Sequence, residues 1–343
     1  MNKPHRTALL VILLAFLHLL VIFPGFFAPY DAAAQNRDLP FAPPTRIHFL
    51  DATGAFHLIP FVYSWKDRLD DSSQYEEDRA QIHRLRLFIM DSPRSIIGGW
   101  TSRLHLFGVD PPSQIFLFGT DDFGRDQFSR MLYGGRISLL AGWMAAAIAL
   151  FAGGTLGVVS GYYGKWLDSL IMRLVELFLA LPWLYLLFAV RAVLPLSIKT
   201  TDAFLLLVAV VGLAGWARPA RLVRGIVLSA KERNFVLASR AMGASNWHIL
   251  RWHVLPQTYR TMITMAALLV PQFILAEVTL SFLGLGVGEP IPSWGNLLAE
   301  LQKYNVLTSY WWMYLPAGAL VALFLAYHWA SEILRDMLAQ VSA

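Results

Sequence analysis

The sequence predicts an all-α polytopic membrane protein of about six transmembrane helices, with a small mixed, β-containing extracytoplasmic domain after the first helix. Three observations predict it. Of the 343 residues, 56% are hydrophobic and only 15% charged, and the mean hydropathy is +0.50, far from the composition of a soluble domain. Apolar runs of about 20 residues, enough to cross a bilayer as a helix, recur along the chain. A basic block, Ala217 to Arg260, separates two of these runs and contains Glu232 as its only acid. Such a Lys/Arg excess between spans places the block in the cytoplasm. The formal charge of +5 is explained by this topology, so no nucleic-acid partner is expected. The absence of cysteine excludes disulfides, thiolate chemistry and Cys-ligated zinc.

Met1 to Arg6 is short and basic, and Ala8 to Phe27 is almost wholly apolar. Ala32-Ala33-Ala34 offers a small-residue cleavage site, but the apolar run exceeds the usual signal-peptide core. Residues 1–28 are therefore expected as an uncleaved first span. Residues 29–135 mix acids and bases and cluster prolines at Pro40, Pro43 and Pro44. Arg46 to Leu50, Phe56 to Tyr63 and Arg84 to Ile89 read as short strands, and Asp67 to Arg79 as a charged loop tip. His48, His57, His83 and His105 are too irregularly spaced for a metal site and read as packing or surface groups.

Residues 136–343 supply five further spans. Ser138 to Tyr162 is rich in small residues, including Gly142, Gly153 and Gly157, which let helices approach closely in lipid. Leu167 to Pro195, Ala203 to Ala217 and Met262 to Val287 follow. The last, Tyr310 to Leu334, opens on the aromatic anchor Tyr310-Trp311-Trp312-Met313-Tyr314. An even count places both termini in the cytoplasm. Arg173 and Glu176, one turn apart, are expected to pair, and Arg191 to snorkel to the surface. Glu277 lies mid-span, near Thr279 and Ser281, so it must face the bundle interior. Its role is a packing hydrogen bond or a place on the solute path.

Within the basic block two amphipathic helices are readable. Phe235, Ala238 and Met242 share one face, and Trp247, Leu250 and Val254 another. Gly243 suits the turn between them and Ser245 the N-cap of the second. Residues 217–260 thus form a helical hairpin that presents a surface to the cytoplasm.

Two strings carry a family resemblance. Gly119-Thr120-Asp121, Gly124-Arg125-Asp126, Arg130, Tyr133-Gly134 and Arg136 resemble the G-T-D-x2-G-R-D-x3-R-x2-Y-G-x-R signature of dipeptide, oligopeptide and nickel permeases of ABC importers. Ala238-Ser239, Gly243 and His253-Val254-Leu255-Pro256 resemble the E-A-A-x3-G-x9-I-x-L-P loop of ABC-importer membrane subunits, with Leu237 standing where Glu is usual. The resemblance implies the type I importer permease fold in a bacterial inner membrane, and half of a translocation pathway for peptides, peptide-like solutes or nickel complexes. It also implies two ABC ATPase subunits, a second homologous B-type permease subunit and an extracytoplasmic solute-binding protein as partners. ATP and Mg would sit on the ATPases, and this chain would bind no cofactor. The ATPase-coupling surface would comprise Phe235, Leu237, Ala238, Ser239, Arg240, Gly243, Ala244, Trp247, Leu250, His253, Leu255 and Pro256. Ser281 and Trp294 lie in strings that border the permeation path in the family, which makes them, with Glu277, pathway candidates. The alternatives are an ion-coupled secondary transporter and a membrane-embedded enzyme. The sequence contains neither His-Glu-x-x-His nor Gly-x-Ser-x-Gly, and no nucleotide-binding motif.

Overall fold

The computed structural model describes residues 3–340, apart from 69–70, 98–99, 112, 183–184, 187 and 190–199. The chain divides into two compact units. One comprises Ile12–Ser138 and Ser281–Leu323, the other Met1–Val11, Leu139–Leu280 and Phe324–Ala343.

The β-containing unit begins within helix α1 (Lys3–Ile22), and Pro24 at the first position opens the short α2 (Pro24–Phe27). Five strands follow: β1 (His48–Leu50), β2 (Phe56–Arg68), β3 (Asp71–Arg84), β4 (Arg86–Ile97) and β5 (Trp100–Gly108). They form an antiparallel β1-β2-β3 sheet and a separate β4-β5 hairpin. In the expected loop tip at Asp67 to Arg79, the described residues 67–68 and 71–79 are instead strand. Trp65 pairs with Glu77 and Lys66 with Glu76 along a long ribbon. The charges that suggested a loop pair across the strands, with Lys66 Nζ 3.2 Å from Glu76, and a solvated ribbon accommodates such pairs on its faces. Arg84 ends β3 and Arg86 begins β4, so the single strand read there is a junction of two.

Three of the four histidines have polar partners. His48 lies 2.8 Å from Glu77 and His57 2.9 Å from Asp51. His105 is fully buried, with Nδ1 2.8 Å from the Gly25 carbonyl oxygen.

The helical unit is built from α3 (Gln127–Tyr163), α4 (Lys165–Ala180), α5 (Thr200–Ala214), α6 (Ala217–Ala230), α7 (Asn234–Ala241), α8 (Asn246–Ile249), α9 (Leu255–Phe282) and α12 (Leu315–Gln340). The short α10 (Trp294–Ala299) and α11 (Tyr304–Ser309) belong to the β-containing unit, as do the first residues of α3 and α12 and the last of α9. Among the described residues, four helical stretches are long and apolar enough to cross a membrane: Gln127–Tyr163, Thr200–Ala230, Asn246–Phe282 and Trp311–Met337. The remainder of the expected third span beyond α4, with Arg191, falls largely outside the described residues.

Glycines set the closest helix approach. Gly153, Gly157 and Gly161 recur every four residues on α3 and abut Trp216, Ala220 and Arg224 backbone oxygens at 2.5 to 2.9 Å from where a Cβ would stand. Any side chain there would force the helices apart. This packing moves the start of the basic block. Ala217 to Ala230 continues the apolar α5 as membrane-length helix and buries Ala217, Ala220, Val223 and Val227. The free hairpin therefore begins only after Ala230.

The expected Arg173–Glu176 pair does not form. Glu176 lies 4.0 Å from Arg221 of α6, because that face of α4 packs against α6 and not along itself. Asp168 makes the stronger tie, accepting from Arg224 Nη2 at 2.6 Å and from Nε on its other oxygen, with Ser160 Oγ also donating to it.

Candidate functional site

The signature turn before α3 is a closed polar knot. Gly119 and Gly124 adopt φ of +67° and +68°, and a Cβ on Gly124 would meet the Asn36 carbonyl oxygen at 1.7 Å. Only glycine fits either position. Asp121 Oδ1 accepts the Phe123 and Arg125 backbone N–H groups at 2.9 and 3.0 Å, and Oδ2 accepts Arg125 Nε at 2.7 Å. Arg130 Nε stands 3.3 Å from the same oxygen. Glu289 closes the knot from the loop after α9, its two oxygens accepting from Arg125 and Arg130 at 2.8 Å each. Burial opposes the charge on Glu289, but Arg130 and Arg125 together hold its pKa below the ordinary value.

Asp126 caps α3, Oδ2 accepting Ser129 N–H at 2.8 Å and Ser129 Oγ–H at 2.6 Å. Its Oδ1 is buried without a partner among the described residues. Burial, against the help of Ser129, pushes its pKa up to about 7. Thr120 ties the turn to the preceding chain, its Oγ1 donating to Leu39 O at 2.6 Å and accepting Ala42 N–H at 2.7 Å. Gly134 packs on Ser293 and Gly135 on the Trp294 ring, while Tyr133 and Arg136 are half-buried on the first turns of α3.

The pathway candidates are each engaged locally. Trp294 is buried and its Nε1–H donates to Met131 O at 2.9 Å, so its ring is a packing wedge in the notch left by Gly135. Ser281 Oγ accepts the Val287 N–H at 3.2 Å, which stabilises the turn that leaves α9. Glu277 is fully buried within α9.

The basic hairpin contrasts with the knot. Gly243, with φ +83°, ends α7, and Ser245 Oγ accepts the His248 N–H at 3.2 Å as the cap of α8. Between α8 and α9 the residues Leu250–Val254 form a π-helical turn, with Leu255 N–H bonded to Leu250 O. The hairpin packs inward through Val236, Ile249 and Val254, which join Val158, Val223, Val227 and Ala230 in one core; Ala244, Leu250 and Leu255 cover it. Of the two faces read from periodicity, Phe235, Ala238 and Met242 stay together as an exposed face, whereas the second splits, with Trp247 exposed and Val254 buried. Phe235, Leu237, Met242 and Trp247 point outward, with Met242 85% and Trp247 65% exposed. Val236 and Ile249 take the buried positions because α6 supplies the core they meet.

Ala238, Arg240 and Pro256 are likewise exposed, and Ser239 and His253 half-exposed. Phe235 and His253 rings lie 5.8 Å apart, which joins the two helices at their outward side. Sequence reasoning missed Glu289, Asp168 and Arg224, whose partners are far off in the chain, and the outward Trp252, which is 61% exposed.

Residues 153–340 match the model of the binding-protein-dependent transport system inner membrane component family. The chain is 37% identical over 227 residues to the dipeptide transport system permease protein DppC of Alkalihalophilus pseudofirmus, covering 66% of this chain and 72% of that protein. It is 37% identical over 248 residues to the DppC of Bacillus subtilis, covering 72% and 74%. The oligopeptide transport system permease protein OppC of the same organism is 36% identical over 239 residues, covering 69% and 76%. The chain belongs to the binding-protein-dependent transport system inner membrane component family, the membrane-embedded permeases of ABC importers.

Proposed function

We propose that this chain forms half of a peptide-translocating pathway and receives its drive from ATPase subunits docked on the 231–256 hairpin. The observation that carries the reading is the outward apolar face of Phe235, Leu237, Met242, Trp247 and Trp252, held on a packed core and bordered by Arg233, Arg240 and Arg251. Exposed aromatic and Met side chains with Arg at the border have the composition of a protein docking site. Peptide as the solute follows from the dipeptide and oligopeptide permeases it resembles.

In this reading the partners are two ATPase subunits, a B-type permease and an extracytoplasmic solute-binding protein. ATP and Mg are held by the ATPases, and this chain catalyses no reaction and binds no cofactor. Both termini and the hairpin lie in the cytoplasm, and the β-containing segment lies outside. Nucleotide acts on the chain through the different contacts that the ATPases make with the hairpin in their open and closed states. Met242→Asp with Trp247→Asp should weaken docking by about 2 kcal/mol or more, lowering ATP-driven uptake in proteoliposomes by at least tenfold while the melting temperature stays put. Wild-type uptake by this double variant would sink the docking assignment.

A further inference from the structure

Within the helical unit a cavity of about 120 Å³ opens between α4, the junction of α5 and α6, and α9. Phe178, Leu181, Gly215 and Phe273 supply its apolar walls, and Arg218 and Gln272 are the strongly polar groups on its lining. Two helix interruptions meet at this cavity. The hydrogen-bonded run from α5 to α6 breaks at Gly215 and Trp216, and Pro271 lies inside α9 one residue before Gln272. Proline removes an N–H from the helix ladder and frees a carbonyl one turn back. Non-helical backbone at membrane depth is tolerated where it lines a cavity, and broken helices mark solute sites in transporters.

The depth of the cavity makes Arg218 costly. Gln272 lies about 25 Å along α9 from Leu255 at 1.5 Å per residue. Phe178 is about 20 Å along α4 from Lys165 by the same rise. An arginine at such depth costs roughly 3 kcal/mol unless a charge or hydrated space meets it. Its neighbours on α6 are paired, Arg221 with Glu176 and Arg224 with Asp168. Arg218 forms no ion pair among the described residues. The undescribed part of the third span cannot supply one either, because the sequence has no Asp or Glu between Glu176 and Asp202.

We infer that this cavity receives the carboxylate end of the transported solute, with Arg218 as its counter-ion and the Gln272 amide as a second hydrogen-bond donor. The inference rests on the peptide-permease reading above. A guanidinium pairs a carboxylate with two parallel hydrogen bonds, and Arg218 and Gln272 are both exposed, so a solute can reach them. The cavity admits a terminal group and leaves the rest of a peptide in the wider path.

The test uses the complete transporter in proteoliposomes and compares uptake of a tripeptide with that of its C-terminal amide. The ratio of R218Q to wild type for each compound cancels whatever the solute-binding protein contributes. The preference for the free acid should fall about tenfold in R218Q, as expected for loss of a charge-assisted hydrogen bond, and be partly restored in R218K, which keeps the charge but not the paired hydrogen bonds. An equal loss for acid and amide, or no loss, overturns the site and leaves Arg218 as a packing or snorkelling group. A loss that follows the content of anionic lipid in the vesicles, and not the carboxylate, assigns the arginine to a lipid headgroup and also overturns it. A direct arm needs no uptake: the free-acid tripeptide should raise the melting temperature of the wild-type complex and not that of R218Q. No shift in wild type, or the same shift in both, counts against the site. Absence of peptide uptake by wild type would instead sink the peptide reading.

Discussion

The signature turn at Gly119 to Arg130 and the hairpin at Lys231 to Pro256 are both dense in charge and in family-like residues, yet they treat those residues in opposite ways. In the turn, Asp121, Arg125 and Arg130 are nearly fully buried, and Glu289 satisfies them from within the chain. In the hairpin, Arg233, Arg240 and Arg251 face outward beside exposed aromatic side chains. A buried charge is tolerated only with its partner in place, so the turn is a fastening. An exposed apolar face bordered by exposed basic groups has the composition of a surface for another molecule. A dense motif therefore does not announce its role. Where its charges end does.

The contrast is broken most severely at Asp121. Asp121→Ala leaves two buried guanidiniums sharing Glu289 and should cost about 3–5 kcal/mol, read as a large fall in the melting temperature of the purified complex. An effect below 1 kcal/mol would mean that the knot does not fasten the fold. The next effect concerns Asp126. Its carboxyl is pushed up to about 7 by burial, above the ordinary value near 4. The folded state thus binds more protons than the unfolded chain between these values, so stability is full below pH 4 and declines as pH rises to 7. Asp126→Asn should abolish that decline and stabilise the complex at pH 8 by roughly 2–4 kcal/mol, measured as melting temperature against pH. A slope identical to wild type would show that the side chain does not titrate there. Smallest is the hairpin's own fold. Ser245→Ala removes one cap and should cost about 1 kcal/mol, and if α8 carries the face proposed for docking, coupled ATP hydrolysis should fall more than the melting temperature does.

The two regions were also unequally legible in the sequence. Gly243 and Ser245 announced the turn and the cap because both act on backbone groups within a few residues. The pairing of Asp121 with Arg125 and Arg130 also joins residues within ten positions of one another, a range that local reading reaches. Glu289 was not, since its bonds to Arg125 and Arg130 span 164 and 159 residues. Periodicity located two helices in the hairpin and grouped Phe235, Ala238 and Met242, which are exposed together, but it did not reveal Val236 and Ile249 as the inward residues, because α6 and α3 residues that periodicity cannot see bury them. The β2-β3 ribbon was read as a loop for a related reason: alternating charge is soluble in either form, and only the partner strand decides. The family resemblance fixed the broad fold, and tertiary contacts fixed which residue of each motif meets the core.

The π-helical turn at Leu250–Val254 has a consequence for phase. It winds one more residue than an α turn, and one residue corresponds to about 100° of rotation around a helix axis. The wider π turn takes up that extra residue, so the bearing of Trp247 about the axis of α9 stays close to that of regular α winding one residue shorter. Removing one residue between Leu250 and Val254 would restore regular α winding with the bearing of Trp247 nearly unchanged, whereas removing one from the regular helix of α9 would swing it by about 100°. The segment fits an additional residue between the hairpin and α9 without turning the face proposed for docking away.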